Sequence, residues 1–304
     1  MLTLIEAAKL NQNPLQRGVV EVIAGSSPVL DKLPFMEVSG NAYQFNREET
    51  LPGVAFRAIN ENYTESTGVL DPITEPLKVF GGTSRVDRAL VKTQGNLNDL
   101  RAVQDGMKAK AAALDFTKAF FKGDEQGDPR QFDGLQKRLG SGSQLLQAGS
   151  TSGGDALTLA MLDELIDAVQ SGPDMIFMNK TMRRKVNALM RQAGQAIETV
   201  SDVFGRQIPA YAGIPVGVIE KDAQGQEILG FTESNPGGGS PASTSIYAVR
   251  FGVQEAVSGL QAGALEVIDN GLVGVWYETL IEWVCAITIF NPRSAARLCG
   301  LKAA

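Results

Sequence analysis

The chain has 304 residues, of which 43% are hydrophobic and 20% charged, a balance typical of a globular chain with a sizeable core rather than a disordered one. It has no histidine and only two cysteines, Cys285 and Cys299, which excludes histidine-based catalysis, disulfide scaffolds and paired zinc knuckles. The formal net charge of −6 disfavours a dedicated nucleic-acid-binding protein, which needs a basic face for phosphates.

Residues 1–39 alternate short helical stretches with helix-breaking residues. Helical patterns cover 2–10 and 17–24, and Pro14 and the turn at 25–28 interrupt them. The apolar residues of this region cannot form a core alone, so we expect them to need another surface. The N-terminus lacks the basic start of a secretion signal, and no run of about 20 apolar residues could span a membrane. This predicts a protein made in a cytosol.

From Phe35 to about Val91 the pattern alternates every second residue, which predicts β-strands. Tyr43, Phe45 and Arg47 point one way, and the residues between them point the other way. Further strands are expected over 53–59 and 76–80, separated by a polar segment. The region has few residues for a core, and an isolated long hairpin is marginally stable in water. We therefore expect it to be mobile or to lie on a partner subunit.

The clearest predicted element is a helix from about Asn96 to Lys122, about 40 Å long at 1.5 Å per residue. Residues at three- and four-residue steps predict one apolar stripe that lies across a broad, flat surface. The stripe consists of Leu97, Leu100, Val103, Met107, Ala111 and Leu114.

Four lysines on this helix allow two interpretations. They form either a basic strip that meets phosphate or a solvated face balanced by carboxylates three residues away, and we favour the solvated face. The lysines are Lys108, Lys110, Lys118 and Lys122. The loop over 122–134 lacks the spacing of a calcium loop and is interpreted as a surface turn.

A change in composition over 149–155 marks the first predicted domain boundary, with Asp155 as the N-cap of a helix over 156–169. Alternating strands and helices follow, and the C-terminal region is rich in strands. The predicted elements are a strand at 175–178, a helix at 181–191, and strands at 214–219, 246–251, 265–269 and 276–290.

Two other segments of this region are interpreted as surface features. Arg183, Arg184 and Lys185 spread around a helix, which favours a solvated face or a subunit contact over a phosphate site. The glycine-rich segment 234–244 is predicted to be a flexible loop tip, and it lacks the ending of a P-loop.

The sequence predicts no catalytic, cofactor-binding or metal-binding residues. The carboxylates of Asp163, Glu164, Asp167 and Glu198 lie in no motif that fixes their separation. Cys285 lies in a strongly apolar stretch and is expected to be a buried, inert thiol. We therefore expect that the chain is not an enzyme.

The order of these parts resembles the major capsid proteins of tailed bacteriophages, whose fold is named after phage HK97. Five strings carry the resemblance, which covers essentially the whole chain. They are SPVLDKLPF at 27–35, GNAYQFNRE at 40–48, LPGVAFR at 51–57, QFDGL at 131–135 and FNPRSAA at 290–296. The resemblance implies an α+β fold with an N-terminal arm, an extended β-hairpin called the E-loop, a long spine helix, a peripheral domain and an inserted axial domain.

The resemblance also implies a division of the chain and a function. The division is an arm at 1–39, the E-loop at 40–91, the peripheral domain at 92–154 and 251–304, and the axial domain at 155–250. The implied function is self-assembly into an icosahedral shell of hexamers and pentamers that encloses the phage genome. In such shells the hairpin lies over a neighbouring subunit and the arm reaches another.

The resemblance implies several partners and a location in the virion, after assembly in the host cytoplasm. The partners are copies of this chain, a portal, a decoration protein and packaged double-stranded DNA held by non-specific contacts, with no membrane. Met1 lies just before the arm, so we expect a separate scaffolding protein or none. Some members join a hairpin lysine to an asparagine, but no motif assigns an asparagine partner to Lys78.

An encapsulin, a bacterial compartment that encloses cargo enzymes, is the alternative with the same fold. The N-terminal region distinguishes the two. An arm that crosses between subunits indicates a phage shell, whereas a helix folded back to form an apolar groove indicates cargo docking.

Overall fold

The computed structural model describes residues 3, 14–50, 52–94, 100–194, 198–201, 207–239 and 242–303. The helices are Pro14–Ser26 (α1), Pro28–Lys32 (α2), Arg88–Gln94 (α3), Leu100–Lys122 (α4), Leu135–Arg138 (α5), Leu159–Asp167 (α6) and Lys180–Gln192 (α7), with a 3₁₀ turn at Pro292–Ser294. The strands are Phe35–Glu37 (β1), Ala42–Thr50 (β2), Val69–Pro76 (β3), Lys78–Asp87 (β4), Leu145–Gln147 (β5), Met175–Asn179 (β6), Glu198–Ser201 (β7), Gln207–Tyr211 (β8), Ile214–Ile219 (β9), Ser243–Val249 (β10), Val257–Gln261 (β11), Glu266–Val273 (β12), Trp276–Ile289 (β13) and Ala295–Lys302 (β14).

A five-stranded sheet is built around the long strand β13. It has the order β1-β11-β13-β12, and β4 also pairs with β13. The C-terminal part of β13 pairs with β11, and its N-terminal part pairs with β12 and β4. The apolar sequence of β13 reflects this position, because side chains on both faces of its C-terminal half are buried.

A seven-stranded sheet has the order β5-β14-β10-β6-β9-β8-β7. Alternate residues of its central strands face opposite sides. Phe177 and Tyr247 point toward α4, whereas Met178 and Ile246 point toward α6 and α7. Strand β14 joins this sheet through β10, so residue 250, the predicted end of the axial domain, does not separate the two sheets.

The N-terminal region folds back onto the chain's own body. Helix α1 packs on α4, and β1 pairs in parallel with β11, where Phe35 lies across Gly259. Val29 and Leu30 are fully buried. The surface that these apolar residues were expected to need is supplied, for 14–39, by β11 and α4 of the same chain. Pro14 begins α1, since proline fits the first helical turn. The predicted helix at 2–10 lies outside the described residues except Thr3.

Helix α4 is the long helix that the sequence predicts, and it packs on β4 and β13. Its predicted start at Asn96 lies outside the described residues. The predicted stripe is wrong, because Val103 and Met107 are exposed. The buried face instead contains Asp105, which accepts a hydrogen bond from Thr279 Oγ1 at 3.2 Å. The other buried residues of α4 are Ala109, Ala113, Phe116, Thr117, Phe120 and Phe121.

Three further predictions need correction. Residues 53–59 form no strand, because no other strand pairs with them in the described chain. Helix α6 begins after Thr158, whose hydroxyl caps Met161 N, whereas Asp155 accepts a hydrogen bond from Thr151 N. The predicted loop 234–244 ends earlier, since β10 begins at Ser243 and both Ser243 and Thr244 are fully buried.

Candidate interaction surfaces

Strands β2 and β3 form a two-stranded ribbon that ends in an exposed segment, residues 52–68, which we call the tip. Every residue of the tip is exposed to solvent. Val54, Phe56 and Ile59 are each at least 90% exposed, and Tyr63 is 66% exposed. Large apolar side chains with this degree of exposure mark an interaction surface when they lie together.

The contacts of the tip lie within the tip itself. Ser66 Oγ donates to Gly53 O at 3.0 Å, and Arg57 Nη1 donates to Glu61 O at 3.1 Å. The Arg57 guanidinium lies 5.2 Å from the centre of the Tyr63 ring. These contacts shape the tip, but they cover little of its apolar surface.

The stem of the ribbon is amphipathic, as the sequence predicts. Tyr43, Phe45 and Arg47 are half-buried, whereas Gln44 and Asn46 are exposed. The two aromatic rings lie against Phe290, with the Phe45 and Phe290 ring centres 4.7 Å apart. The stem is about 30 Å long at about 3.3 Å per residue, so it carries the tip well beyond its anchor.

A charged anchor holds the root of the ribbon. Glu75 forms a bidentate ion pair with Arg138, whose Nη2 lies 2.7 Å from Glu75 Oε2. Arg138 also donates to Ile287 O at 3.1 Å and to Asp133 O at 2.8 Å. Because both side chains are largely buried, this pair fixes where the ribbon leaves the body.

Lys78, the hairpin lysine considered for a crosslink, is held within its own chain. Its Nζ donates to Glu125 Oε1 at 2.6 Å and to Pro129 O at 2.8 Å. A lysine in this position serves to fix the 123–134 loop against β4.

A second exposed apolar surface lies at the turn between β12 and β13 and on the adjoining α3. Val273, Val275 and Trp276 are exposed there, and Leu90 of α3 is exposed beside them. The backbone N–H of Arg88 donates to Val275 O at 3.0 Å and holds α3 against this turn. No pattern in the sequence predicts this surface, because exposure of these residues depends on how β4, β12 and β13 pair.

The lysines of α4 lie among carboxylates and do not form an uninterrupted basic strip. Lys118 pairs with Asp222 at 2.9 Å, and Lys108 and Lys110 lie nearer the N-terminal end of the helix. Burial lowers the pKa of Lys122. Lys118 therefore has two neighbouring carboxylates: Asp115, three residues earlier on the helix as the sequence predicted, and Asp222 on a remote loop.

Cys285 is buried, as predicted, and burial raises the pKa of its thiol. In the part of the chain that the structure describes, no three His, Cys, Asp or Glu side chains lie where they could hold a metal ion. No helix among the described residues is long and apolar enough to span a bilayer.

The comparisons with known proteins agree with these features. Residues 11–158, just under half of the chain, match the sequence model of the family described as "Major capsid protein GP7". The capsid of the native GTA particle covers 91% of this chain and 90% of its own at 14% identity, with a TM-score of 0.64. This chain has the HK97-type capsid fold. A search of curated proteins found no match.

Two further solved structures share this fold. One, described as "Mycobacterium phage Bobi", is 14% identical, with 90% of this chain and 89% of that chain covered and a TM-score of 0.60. The other is the holo-SrpI encapsulin complex from Synechococcus elongatus PCC 7942, which is 17% identical, with 90% and 87% covered and a TM-score of 0.63. At identities this low, the structural similarity establishes the shared α+β capsid fold and no more.

Proposed function

We propose that this chain is a major capsid protein that forms a closed icosahedral shell of hexamers and pentamers around a double-stranded DNA genome. The observation that carries the proposal is the tip, which presents Val54, Phe56, Ile59 and Tyr63 to solvent on a stem about 30 Å long. Apolar surface of this kind is stabilised when it is buried against another molecule. In a shell, a neighbouring copy supplies that cover.

The proposed roles of the segments follow the capsid fold. The ribbon, with its tip, is the E-loop, and α4 is the spine helix of a peripheral domain that also contains the five-stranded sheet. The axial domain contains α6, α7 and the central strands of the seven-stranded sheet. The tip rests on an adjacent copy, and the axial domains meet at the centre of each ring.

The proposed partners besides the chain itself are a portal, a scaffolding protein, a decoration protein and packaged DNA. The net charge of −6 fits a container that holds DNA by scattered basic side chains without reading its sequence. Assembly takes place in the host cytoplasm, and the finished shell is part of the virion.

Replacing the four apolar tip residues by serine tests the proposal. The variant chain should fold as the native chain does, because these side chains are exposed, but it should form no shells under conditions where the native chain forms them. Electron microscopy and light scattering of the two purified chains measure the difference. The matched control carries Val54→Ile, Phe56→Leu and Tyr63→Phe, which keep the tip apolar, and it should assemble. Normal shells from the serine variant would overturn the proposed role of the tip.

One observation favours a second candidate, a cargo-enclosing compartment. Helix α1 folds back onto α4, which is the arrangement expected for cargo docking. A groove of about 460 Å³ lies beside it, lined by apolar residues such as Leu114 and Ile228 and by charged ones such as Lys110 and Asp222. Particles isolated from the producing organism and treated with nuclease distinguish the candidates. A phage shell should contain protected DNA, whereas a compartment should contain one abundant enzyme and no DNA.

A further inference from the structure

Two neighbouring helices of the seven-stranded sheet carry opposite charge. Helix α6, with the sequence LAMLDELID, has three acidic residues and no basic one. Helix α7, with the sequence KTMRRKVNALMRQ, has five basic residues and no acidic one. This segregation contrasts with α4, where acidic and basic residues are mixed along the helix.

Packing fixes which way these charges point. Leu162 and Leu165 of α6 and Met182 and Val186 of α7 are buried in one hydrophobic cluster on the same face of the sheet. Helix α6 lies over β14, and α7 lies over β6 and β9. The remaining side chains of both helices are therefore directed away from the sheet.

We call Asp163, Glu164 and Asp167 the acidic face, and all three are exposed. Asp163 accepts a hydrogen bond from Tyr211 Oη at 2.6 Å. Within the described residues, neither Glu164 nor Asp167 forms an ion pair. Ala160 lies one turn earlier on the same side, so a bulky side chain does not shield these carboxylates.

We call Lys180, Arg184 and Arg191 the basic face, and all three are exposed. Lys180 pairs with Glu220 at 2.8 Å. Arg184 donates only to Thr181 Oγ1, at 3.4 Å, and no carboxylate of the described chain pairs with Arg184 or Arg191. Ala188 lies between the two arginines on the same side of the helix, which lets another surface approach them.

We propose that the basic face of one subunit binds the acidic face of the next subunit in a ring. This inference rests on the proposed function, because it names the contact that joins the axial domains. The proposed function places the axial domains around a five- or six-fold axis, so the contact there is head-to-tail, and a head-to-tail contact repeated around an axis closes a ring. Complementary charge of this kind sets orientation and rejects wrong pairings.

A second copy of the chain suits the basic face better than a nucleic acid does. A phosphate backbone laid on α7 would also meet the acidic face of α6, which lies on the same side of the sheet. Like charges at close range are repulsive, and this repulsion opposes such binding. In a ring, the neighbour on one side brings an acidic face to the basic one, and the neighbour on the other side brings a basic face to the acidic one.

Charge reversal tests the contact. One variant carries Arg184→Glu and Arg191→Glu, and the other carries Glu164→Lys and Asp167→Lys. Each should raise the protein concentration needed for assembly by roughly tenfold or more, since every contact then joins like charges. Combining all four substitutions in one chain should restore assembly. The control, Lys110→Glu with Arg130→Glu, changes the net charge by the same amount as the first variant and should assemble normally.

Mixing the two double variants gives a sharper result. One variant then has two acidic faces and the other has two basic faces, so opposite charges meet only where the two variants alternate around the ring. Strict alternation closes only rings with an even number of subunits. The mixture should therefore form hexamers but no pentamers and no closed shells, as seen by electron microscopy. Circular dichroism of each separate variant confirms that it is folded.

The other outcomes overturn the inference. Normal shells from the Arg184→Glu, Arg191→Glu variant would do so, and if those shells held less nucleic acid, the basic face would be a nucleic-acid site. Mixtures that stop at dimers would show a two-fold contact in place of a head-to-tail one. If the native chain itself forms no particles, the proposed function fails. If the native chain forms shells and the charge-reversal variants do so equally well, only the inferred contact fails.

Discussion

Two segments of this chain have apolar residues but too few neighbours in sequence to cover them, and the structure treats them differently. Residues 14–39 pack into the core, where Leu30 and Leu33 are fully buried. The tip of the ribbon at 52–68 stays in solvent over its whole length. Similar composition therefore leads to opposite outcomes, and what decides between them is whether the same chain supplies a covering surface.

The covering surface of the N-terminal segment comes from far along the chain. Phe35 pairs with Gly259 in a parallel ladder, and the missing side chain of Gly259 leaves room for the phenyl ring. Its ring centre lies 4.8 Å from that of Trp283. Among the described residues the tip meets no such surface, so the proposed dependence on other copies concerns the ribbon and not residues 14–39.

The largest expected effect on the isolated chain is that of Leu30→Ala. Leu30 is fully buried, so truncation leaves a cavity and should lower the free energy of unfolding by about 3 kcal/mol. Urea denaturation of the unassembled chain measures it. Val22→Ala, on the exposed side of α1, is the control and should change the value by less than about 0.5 kcal/mol. An equally small effect at Leu30 would show that 14–39 is not docked in solution.

The next effect concerns a third segment, 234–239, which the sequence suggested to be a free loop tip. A Cβ on Gly237 would lie 2.2 Å from Ser150 O, and Asn235 Nδ2 donates to Thr151 O at 2.6 Å. This segment is therefore packed against its own chain, as residues 14–39 are. Gly237→Ala should cost about 2 kcal/mol of unfolding free energy, because backbone would have to move.

The control for Gly237 is Gly106→Ala in α4. A Cβ at Gly106 meets nothing within 4 Å, so alanine should stabilise the helix by about 0.5–1 kcal/mol. Melting temperatures of the two variants should shift in opposite directions. A downward shift at Gly106 or none at Gly237 would contradict the packing described for these two positions.

A smaller effect is expected at the root of the ribbon. Glu75→Gln removes the charge that pairs with Arg138, which should cost about 1.5 kcal/mol because the guanidinium keeps only carbonyl partners. Amide hydrogen exchange in β2 and β3 should become faster. Asp71→Asn is the control on the same ribbon, since its pair with Arg47 is half-exposed and should contribute less than about 0.5 kcal/mol. Unchanged exchange in the Glu75 variant would mean that the pair does not anchor the ribbon.

Local patterns predicted those parts of the fold whose partners lie close by or whose periodicity is unambiguous. The bounds of β9 were predicted to the residue, and those of α7 and β13 to within one residue. The alternation of Tyr43 and Phe45 along the ribbon is also confirmed. Each of these elements has a clear period and strong end signals.

The remaining predictions depended on contacts between distant residues. Helix α4 offered two possible buried faces, and the one with Asp105 and Thr117 is used because Thr279 and Ser27 satisfy those polar groups. The periodicity of the helix sequence cannot predict either of these partners, because both lie far away along the chain. The hairpin region was predicted to be mobile or to lie on a partner subunit. The strand predicted at 53–59 does not form, because a strand needs a second strand to pair with.

The smallest expected effect on the isolated chain is that of Phe56→Ser, and its small size is informative. Phe56 is fully exposed and contacts none of the body that the structure describes, so serine should change the free energy of unfolding by less than about 0.5 kcal/mol. The same change removes apolar surface that assembly would bury, so the concentration required for shells should rise. If the Phe56→Ser variant lost both stability and assembly, the tip would be packed on its own chain, as residues 14–39 are. Loss of assembly at unchanged stability is the result that only a surface reserved for another molecule can give.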